Sequence, residues 1–212
     1  MPRPLPTPIM HFTHVDHLPL IVRAGLVSDT VAQKVDLLSV EVGNREIKER
    51  RRQRQVPVSP GGVVADYAPF YFAPRSPMMY AIEKRNVPTY SDGCDQLVYL
   101  VTTVEQIIEM GLAVVFTDRN AVLALANFTS DVDQLDTLVD WLLMEATWWN
   151  NTPQEPDRRE RRMAECLVYE CVPWAAFHQV VVRNEACNDQ VYETLATVGV
   201  SLPIAVTPGW YF

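Results

Sequence analysis

The sequence lacks the features of a membrane-bound or exported protein. No stretch of its 212 residues approaches the roughly 18 to 20 consecutive apolar residues that a membrane-spanning helix needs. The first residues, MPRPLPTPIM, lack the basic and then apolar order of a signal peptide. We therefore expect a cytoplasmic protein that has no membrane partner.

Paired cysteines and glycine-rich phosphate loops are also missing. The four cysteines form no CxxC pair, and Cys166 and Cys171 stand five residues apart in an apolar run. We therefore expect buried free thiols. Neither GxGxxG nor GxxxxGK[ST] occurs, so a dinucleotide would have to bind without a Rossmann or P-loop cradle.

Positive charge is scarce and local. The formal net charge of −8 argues against non-specific binding of duplex DNA, which relies on many Lys and Arg contacts to phosphate. Two basic clusters interrupt this background, at Arg45 to Arg54 and at Arg158 to Arg162. The clusters could frame one groove, and the alternative for each is an ordinary solvated helix face.

The hydrophobic pattern predicts helices mixed with strands in one domain that follows a disordered or extended leader over residues 1–8. Expected strands are MHFTHV, QLVYLVTT, AVVFTD, ECLVYECVPW, FHQVVVRN and PIAVTP. Expected helices are HLPLIVRAG, VEQIIEM, an amphipathic helix across 131–150, and a helix from about Asp189 to Thr197 capped by Asn188. Because βαβ units do not alternate regularly, the pattern indicates an α+β fold.

Three histidines stand three residues apart, at His11, His14 and His17. Zinc is one interpretation, but the spacing crosses a strand-to-helix junction and no HExxH motif or nearby cysteine completes a tetrahedral site. We favour hydrogen bonding of ribose hydroxyls or an amide by the His and Thr side chains at the strand end. The alternative is that they cap the following helix.

Aromatic residues concentrate in DYAPFYFAPRSPMMY, where a stretch from Val56 to Ala68 that we expect to be a loop leads into PFYFAPRSPMMY. Rings on a proline-stiffened loop can stack on nicotinamide, adenine or an unstacked base. Tyr71 is the better candidate, because it points opposite to Phe70 and Phe72 in an extended segment. For Phe70 and Phe72 the alternative is core packing.

Glu165 lies where a basic, helix-like segment meets a hydrophobic strand, in RRMAECLVYECVPW. A carboxylate beside arginines can bind a sugar hydroxyl and stabilise positive charge on a ribose ring. The alternative is a helix-end glutamate in a surface ion pair.

Together these motifs resemble the DarT-type DNA ADP-ribosyltransferases, which are toxins of toxin–antitoxin pairs. The resemblance runs from about Ile9 to Phe212. Its matching stretches are HFTHVDHLPLIVRAGL, IKERR, DYAPFYFAPRSPMMY, QLVYLV, VFTD, LVDWLLM, DRRERRMAECLV with VPW, and PGWYF.

The resemblance implies an ADP-ribosyltransferase-like split sheet with flanking helices over residues 9–212, and NAD⁺ as co-substrate without a metal. It implies transfer of ADP-ribose to a base of single-stranded DNA, with thymidine favoured and guanosine second. It also implies a macrodomain antitoxin as partner. The alternatives are a transferase that acts on RNA or protein, and a non-catalytic nucleic-acid-binding module.

The expected site residues follow from these matches and from the arguments above. Glu165 and Arg51, chosen from the arginine run, are the expected catalytic residues. The expected NAD⁺-binding residues are His11, Thr13, His14, Tyr71 and Arg51, and those for DNA are Arg75, Asn120, Arg158 and Arg159. Many relatives carry histidine where this chain has Asn120, and an amide cannot exchange a proton as imidazole does.

Overall fold

An eight-stranded sheet forms the centre of the computed structural model, which describes residues 1–34 and 40–212. The strands are β1 (Pro8–His14), β2 (Leu26–Val27), β3 (Tyr67–Tyr71), β4 (Leu97–Thr103), β5 (Val114–Thr117), β6 (Phe128–Thr129), β7 (Glu165–Tyr169), β8 (Cys171–Val172), β9 (Gln179–Val182) and β10 (Ile204–Val206). The sheet order is β10-β9-β4-β1-β3-β7-β5-β6, and β2 pairs with β8 separately. All neighbours are antiparallel except β9 and β10.

Helices flank this sheet. They are α1 (Leu18–Ala24), α2 (Asp29–Lys34), α3 (Arg45–Gln53), α4 (Pro77–Glu83), α5 (Val104–Glu109), α6 (Leu135–Leu138), α7 (Trp141–Glu145), α8 (Arg158–Arg161) and α9 (Glu185–Thr197). Within the described ranges, no helix has both the length and the apolar character needed to cross a membrane. The predicted α+β class is confirmed, because short crossovers and mostly antiparallel pairing replace the βαβ units of a doubly wound sheet.

The central strands are buried on both faces. Along β4, Val98 and Leu100 belong to one hydrophobic cluster, whereas Leu97, Tyr99 and Val101 belong to another on the opposite side. Alternating side chains point to opposite faces of a sheet, so a strand covered on both faces is apolar throughout. This burial explains why QLVYLVTT is almost continuously hydrophobic. Beside β4, β1 pairs over the full register from Pro8↔Thr103 to His14↔Leu97.

The predicted amphipathic helix across 131–150 is wrong. The segment forms a 3₁₀ turn (Val132–Gln134), then α6, then α7. Val139 adopts an extended backbone, and the Asp140 carboxylate accepts a hydrogen bond from the Leu143 N–H and so caps a new helix. Leu142, which a single helix would place with Leu135, Leu138 and Val139 on its apolar face, is 66% exposed.

Two other boundaries differ from the prediction. The last helix begins at Glu185, because the Asn184 side chain accepts from the Cys187 N–H and caps it, so Asn188 lies inside the helix. The aromatic segment that was expected to be a loop contains β3, which pairs with β7 from Tyr67↔Tyr169 to Tyr71↔Glu165. Pairing with β7 determines the conformation of this segment, and its prolines do not.

The first six residues are mostly exposed, and hydrogen bonds from the backbone N–H groups of Arg3 and Thr7 to Asp136 and Glu105 tie them to the rest of the protein. The strand begins at Pro8, one residue inside the expected leader. Thr7 is fully buried, and its hydroxyl donates to the Pro4 carbonyl. The four cysteines are free, as expected, and only Cys171 is partly exposed.

Candidate active site

A cleft opens where the sheet splits between β1 and β3. These two strands pair at Met10↔Tyr71 alone, although β1 is fully paired with β4 on its other side. Two residues before Tyr71 on β3, Pro69 has no N–H to donate, and its carbonyl oxygen lies 2.7 Å from His11 Nδ1. Where β1 and β3 separate, the His11 imidazole thus takes the place of a backbone N–H as the hydrogen-bond partner of the Pro69 carbonyl.

A cavity of about 240 Å³ occupies this split. One wall comes from β1 and the turn after it, and another comes from residues 40–44 and α3. Its remaining polar lining includes Asn120 and Glu165, and Tyr71, Met78 and Met163 supply apolar surface. The cavity therefore offers a few polar groups inside a largely apolar lining, as small-molecule sites usually do.

Glu165 begins β7 at the floor of the cavity and is 1% exposed. Its carboxylate accepts two hydrogen bonds from Arg51 Nη1, at 2.9 Å to Oε1 and 3.2 Å to Oε2. The Glu165 backbone N–H donates to Thr117 Oγ1 at 3.2 Å, which ties the strand end to β5. The surface ion pair considered as an alternative for Glu165 is wrong, because the pair is buried inside the cavity.

Arg51 reaches Glu165 because α3 has a defined start and orientation. Asn44 caps the helix by accepting hydrogen bonds from the N–H groups of Glu46 and Ile47. Arg51 then lines the cavity, whereas Arg50 is exposed and Arg52 pairs with Asp29 and not with Glu165. Arg51 Nη2 is buried without a partner among the described residues, so it is free to bind an oxygen of a ligand.

His11 presents a hydrogen-bond acceptor to the cavity. Burial lowers its pKa to about 4, so the ring is neutral at physiological pH. Because the Pro69 carbonyl can only accept, the proton is on Nδ1, and Nε2 is left as an acceptor. Thr13, two residues along the same strand, also lines the cavity.

His14 does not face this cavity. It alternates with Thr13 along the strand, its ring packs against Tyr90 at 6.0 Å, and its Nδ1 accepts from the Asp16 N–H. Its expected contact with NAD⁺ gains no support from this arrangement and stays a prediction, and the ring nitrogen caps the 3₁₀ turn that follows β1. Among the described residues, no group of three His, Cys, Asp or Glu side chains is arranged to hold a metal ion.

Tyr71 lines the cavity but lies in a strand, not on a loop. One ring face stacks on Phe12 with centroids 6.2 Å apart, and the side chain is 8% exposed. Burial raises the pKa of its phenol, so the hydroxyl stays protonated. Phe70 and Phe72 pack in the core, as their alternative interpretation stated.

The residues expected to contact DNA are divided between the cavity and the surface. Asn120 is 9% exposed and lines the cavity. Its Oδ1 accepts from the Val122 N–H, and among the described residues its Nδ2 has one partner, Met163 Sδ at 3.9 Å. Arg75 lies outside the cavity, with its guanidinium 4.5 Å from the Phe212 ring centroid. Arg158 and Arg159, on α8, also lie outside it and bond Glu155 and Asn150.

Several cavity residues were not predicted as site residues. Lys48 bridges Asp29 and Glu41 at 3.1 and 2.7 Å, and all three line the cavity. Met78 and His17 line it as well. Among these residues only His17 belongs to a sequence motif, the three-residue spacing with His11 and His14. The fold alone brings Lys48, Asp29, Glu41 and Met78 to the cavity.

The match to known proteins covers nearly the whole chain. A family model described as "ssDNA thymidine ADP-ribosyltransferase, DarT" matches residues 10–212. The chain belongs to the DarT family. A DNA ADP-ribosyl transferase of Thermus sp. (strain 2.9) is 38% identical over 192 residues, which are 91% of this chain and 88% of the relative.

Solved structures of DarT from Thermus sp. 2.9 share the fold. The complex with ADP-ribosylated ssDNA matches with a TM-score of 0.92 and 34% identity, covering 100% of this chain and 99% of that one. The complex with NAD⁺ matches with a TM-score of 0.86 and 34% identity, over 99% and 100%. A transferase–glycohydrolase fusion protein of Thermosipho africanus is 24% identical over 206 residues, 96% of this chain and 49% of the relative. The predicted family and fold are confirmed.

Proposed function

We propose that this DarT protein transfers ADP-ribose from NAD⁺ to thymidine in single-stranded DNA and releases nicotinamide. The observation that carries the proposal is the buried Glu165–Arg51 pair in the cavity at the split of the sheet. The family model and the Thermus complexes with NAD⁺ and with ADP-ribosylated ssDNA support it.

Glu165 has the position and environment needed to stabilise the transition state. Loss of nicotinamide leaves positive charge on the ribose ring, and a preorganised carboxylate in a water-poor cavity stabilises such charge strongly. The two hydrogen bonds from Arg51 Nη1 hold the carboxylate in one orientation. In our proposal Glu165 also binds a ribose hydroxyl.

Arg51 has a second role in this proposal. Its free Nη2 binds a diphosphate oxygen or a carbonyl oxygen of the base and so aligns the two substrates. A ring nitrogen of the base then bonds to ribose C1′ as the C1′–nicotinamide bond breaks. Nicotinamide leaves as a neutral molecule with the bonding electron pair, and the proton of the attacking nitrogen passes to solvent. His11, Thr13 and Tyr71 hold the NAD⁺ during this step.

Single-stranded DNA is the better substrate because the attacking base must leave its stack and enter a cavity. Asn120 lines the cavity, and its Nδ2 has two N–H donors of which one is directed to Met163 Sδ, so the other fits a carbonyl oxygen of thymine; guanine is the second candidate because it also has a carbonyl oxygen. We assign the DNA strand to a path past Arg75, Arg158 and Arg159. Arg158 already pairs with Glu155, so Arg159 and Arg75 have more charge available for phosphate.

The proposed partner is an antitoxin that removes ADP-ribose from DNA. The Thermosipho africanus relative is a fusion of a transferase with a DNA ADP-ribosyl glycohydrolase, and a separate macrodomain protein would supply that activity to this chain. We place the reaction in the cytoplasm, where NAD⁺ and single-stranded DNA occur together.

The test uses four oligonucleotides that each carry one candidate base in a fixed context, as single strands and as duplexes, with NAD⁺ and mass-spectrometric detection. We expect a mass increase of one ADP-ribose on the thymidine single strand and little on its duplex. Glu165→Gln is the matched inactive control, because it preserves side-chain size. Equal labelling of strand and duplex would contradict the unstacking argument, and labelling confined to RNA or protein would overturn the proposed substrate.

A further inference from the structure

His17 is a buried cavity residue that the proposed reaction does not use. It ends the 3₁₀ turn Val15–His17 after β1 and is 7% exposed. It precedes α1, but its side chain makes no capping hydrogen bond to that helix. Its ring nitrogens have other partners: Nδ1 lies 2.7 Å from Thr13 Oγ1, and Nε2 accepts from the Val40 N–H at 3.3 Å.

These partners determine the tautomer. Burial lowers the pKa of His17, an effect that nearby His14 strengthens and that Asp16 and Glu41 oppose, so the ring is neutral. The Val40 N–H can only donate, which makes Nε2 the acceptor and places the proton on Nδ1. His17 Nδ1–H therefore donates to the Thr13 hydroxyl oxygen.

The direction of that bond decides what Thr13 can offer a ligand. Its oxygen already accepts from His17, and the described residues provide no other partner for its hydroxyl. The hydroxyl proton is therefore available to the cavity. His11, two residues earlier on β1, presents an acceptor there, so the strand offers one acceptor and one donor side by side.

We propose that His17 is a positioning residue for NAD⁺: it orients the Thr13 hydroxyl as a donor and holds the cavity wall of residues 40–44 through Val40. This inference rests on the proposed function, because it assigns NAD⁺ as the ligand that Thr13 meets. His17 itself does not touch the reacting atoms. Its effect is on binding, and it acts through Thr13 and the Val40 backbone.

The experiment measures steady-state kinetics for NAD⁺ with His17→Phe, His17→Gln, Thr13→Val and the double variant Thr13→Val/His17→Phe. Phenylalanine fills the same space without hydrogen bonds. Glutamine retains one N–H donor and one carbonyl acceptor. We expect His17→Phe to raise KM for NAD⁺ about five- to tenfold with kcat changed less than about threefold, since one oriented hydrogen bond is lost from uniform binding.

Two results distinguish positioning from simple packing. We expect the KM of His17→Gln for NAD⁺ to stay close to the wild-type value. We also expect His17→Phe to raise KM little further in the Thr13→Val background, because the effects of residues that act through one contact are not additive. Fully additive effects, or a His17→Phe variant whose KM stays within about twofold of wild type, would overturn the inference. If His17→Phe does not fold, His17→Leu takes its place in both backgrounds, with the same expected rise in KM and the same limits. Wild-type protein that fails to bind NAD⁺ would overturn the proposed function as well, whereas normal wild-type binding with an unaffected variant overturns this inference alone.

Discussion

Replacement of Arg51 by alanine should destabilise the protein more than replacement of Glu165 by glutamine, although both changes break the same ion pair. The two partners differ in burial: the Glu165 side chain is 2% exposed and the Arg51 side chain is 13% exposed. Removal of one partner from a buried pair costs about 3 to 5 kcal/mol when the remaining charge stays out of water. Without Arg51, the remaining charge is the more deeply buried carboxylate.

We expect the Arg51→Ala variant to lose about 3 kcal/mol, the lower end of that range, because water can enter the cavity beside Glu165. The Glu165→Gln variant should lose about 1 kcal/mol, since the amide oxygen still accepts from Arg51 and the guanidinium regains some water. At roughly 2 to 4 °C per kcal/mol for a chain of this size, the melting temperatures should fall by about 6 to 12 °C and about 2 to 4 °C.

The assay is urea and thermal denaturation without NAD⁺, with Arg50→Ala as the matched control. Arg50 is exposed and lies on the same helix, so its replacement should change stability by less than about 0.5 kcal/mol. Equal losses for Arg51→Ala and Arg50→Ala would refute the buried-pair argument. In the transfer assay the order differs: Glu165→Gln should reduce the rate at least about 10²-fold despite its smaller effect on stability.

Three further outcomes follow from the cavity. NAD⁺ at about 100 times its Kd should stabilise the folded protein by about 2.7 kcal/mol, and His11→Ala or Thr13→Ala should reduce the resulting shift in melting temperature; no shift with wild type at millimolar NAD⁺ would contradict the cofactor assignment. NAD⁺ affinity, measured by calorimetry, should fall as the pH approaches 4, because the pKa of His11 is about 4 and protonation removes its Nε2 acceptor; a midpoint near the ordinary histidine value of about 6.5 would contradict the buried neutral ring. Arg159→Ala should weaken DNA binding and reduce its salt dependence while leaving NAD⁺ affinity unchanged, and an unchanged salt slope would exclude a phosphate contact.

The sequence alone was sufficient for the family, the fold class and most strands. These features depend on local patterns, such as the apolar run that forms β4 and the ordered series of motifs that the family model also matches. The sequence also predicted that His11 and Thr13 lie in a strand and that Glu165 lies at the entrance of another, because each of these positions depends on neighbouring residues only.

Local pattern failed where a hydrogen bond or a sheet partner overrode it. The leucine spacing across 131–150 predicts one helix, but the Asp140 cap divides it into two. The prolines around Tyr71 indicate a loop, but pairing with β7 makes a strand. His14 belongs to the same motif as Thr13, yet its ring packs against Tyr90, away from the cavity lining.

The choice of Arg51 among three consecutive arginines rested on the family resemblance, and only the tertiary structure gives its physical reason, because its partner Glu165 is 114 residues away in the sequence. The same is true of the cleft itself, which exists because β1 and β3 separate where Pro69 lacks an N–H and His11 binds its carbonyl. Sequence spacing constrains which side chains share a strand or a helix face. It does not determine which buried groups meet across the core, since that depends on the packing of segments far apart in the chain.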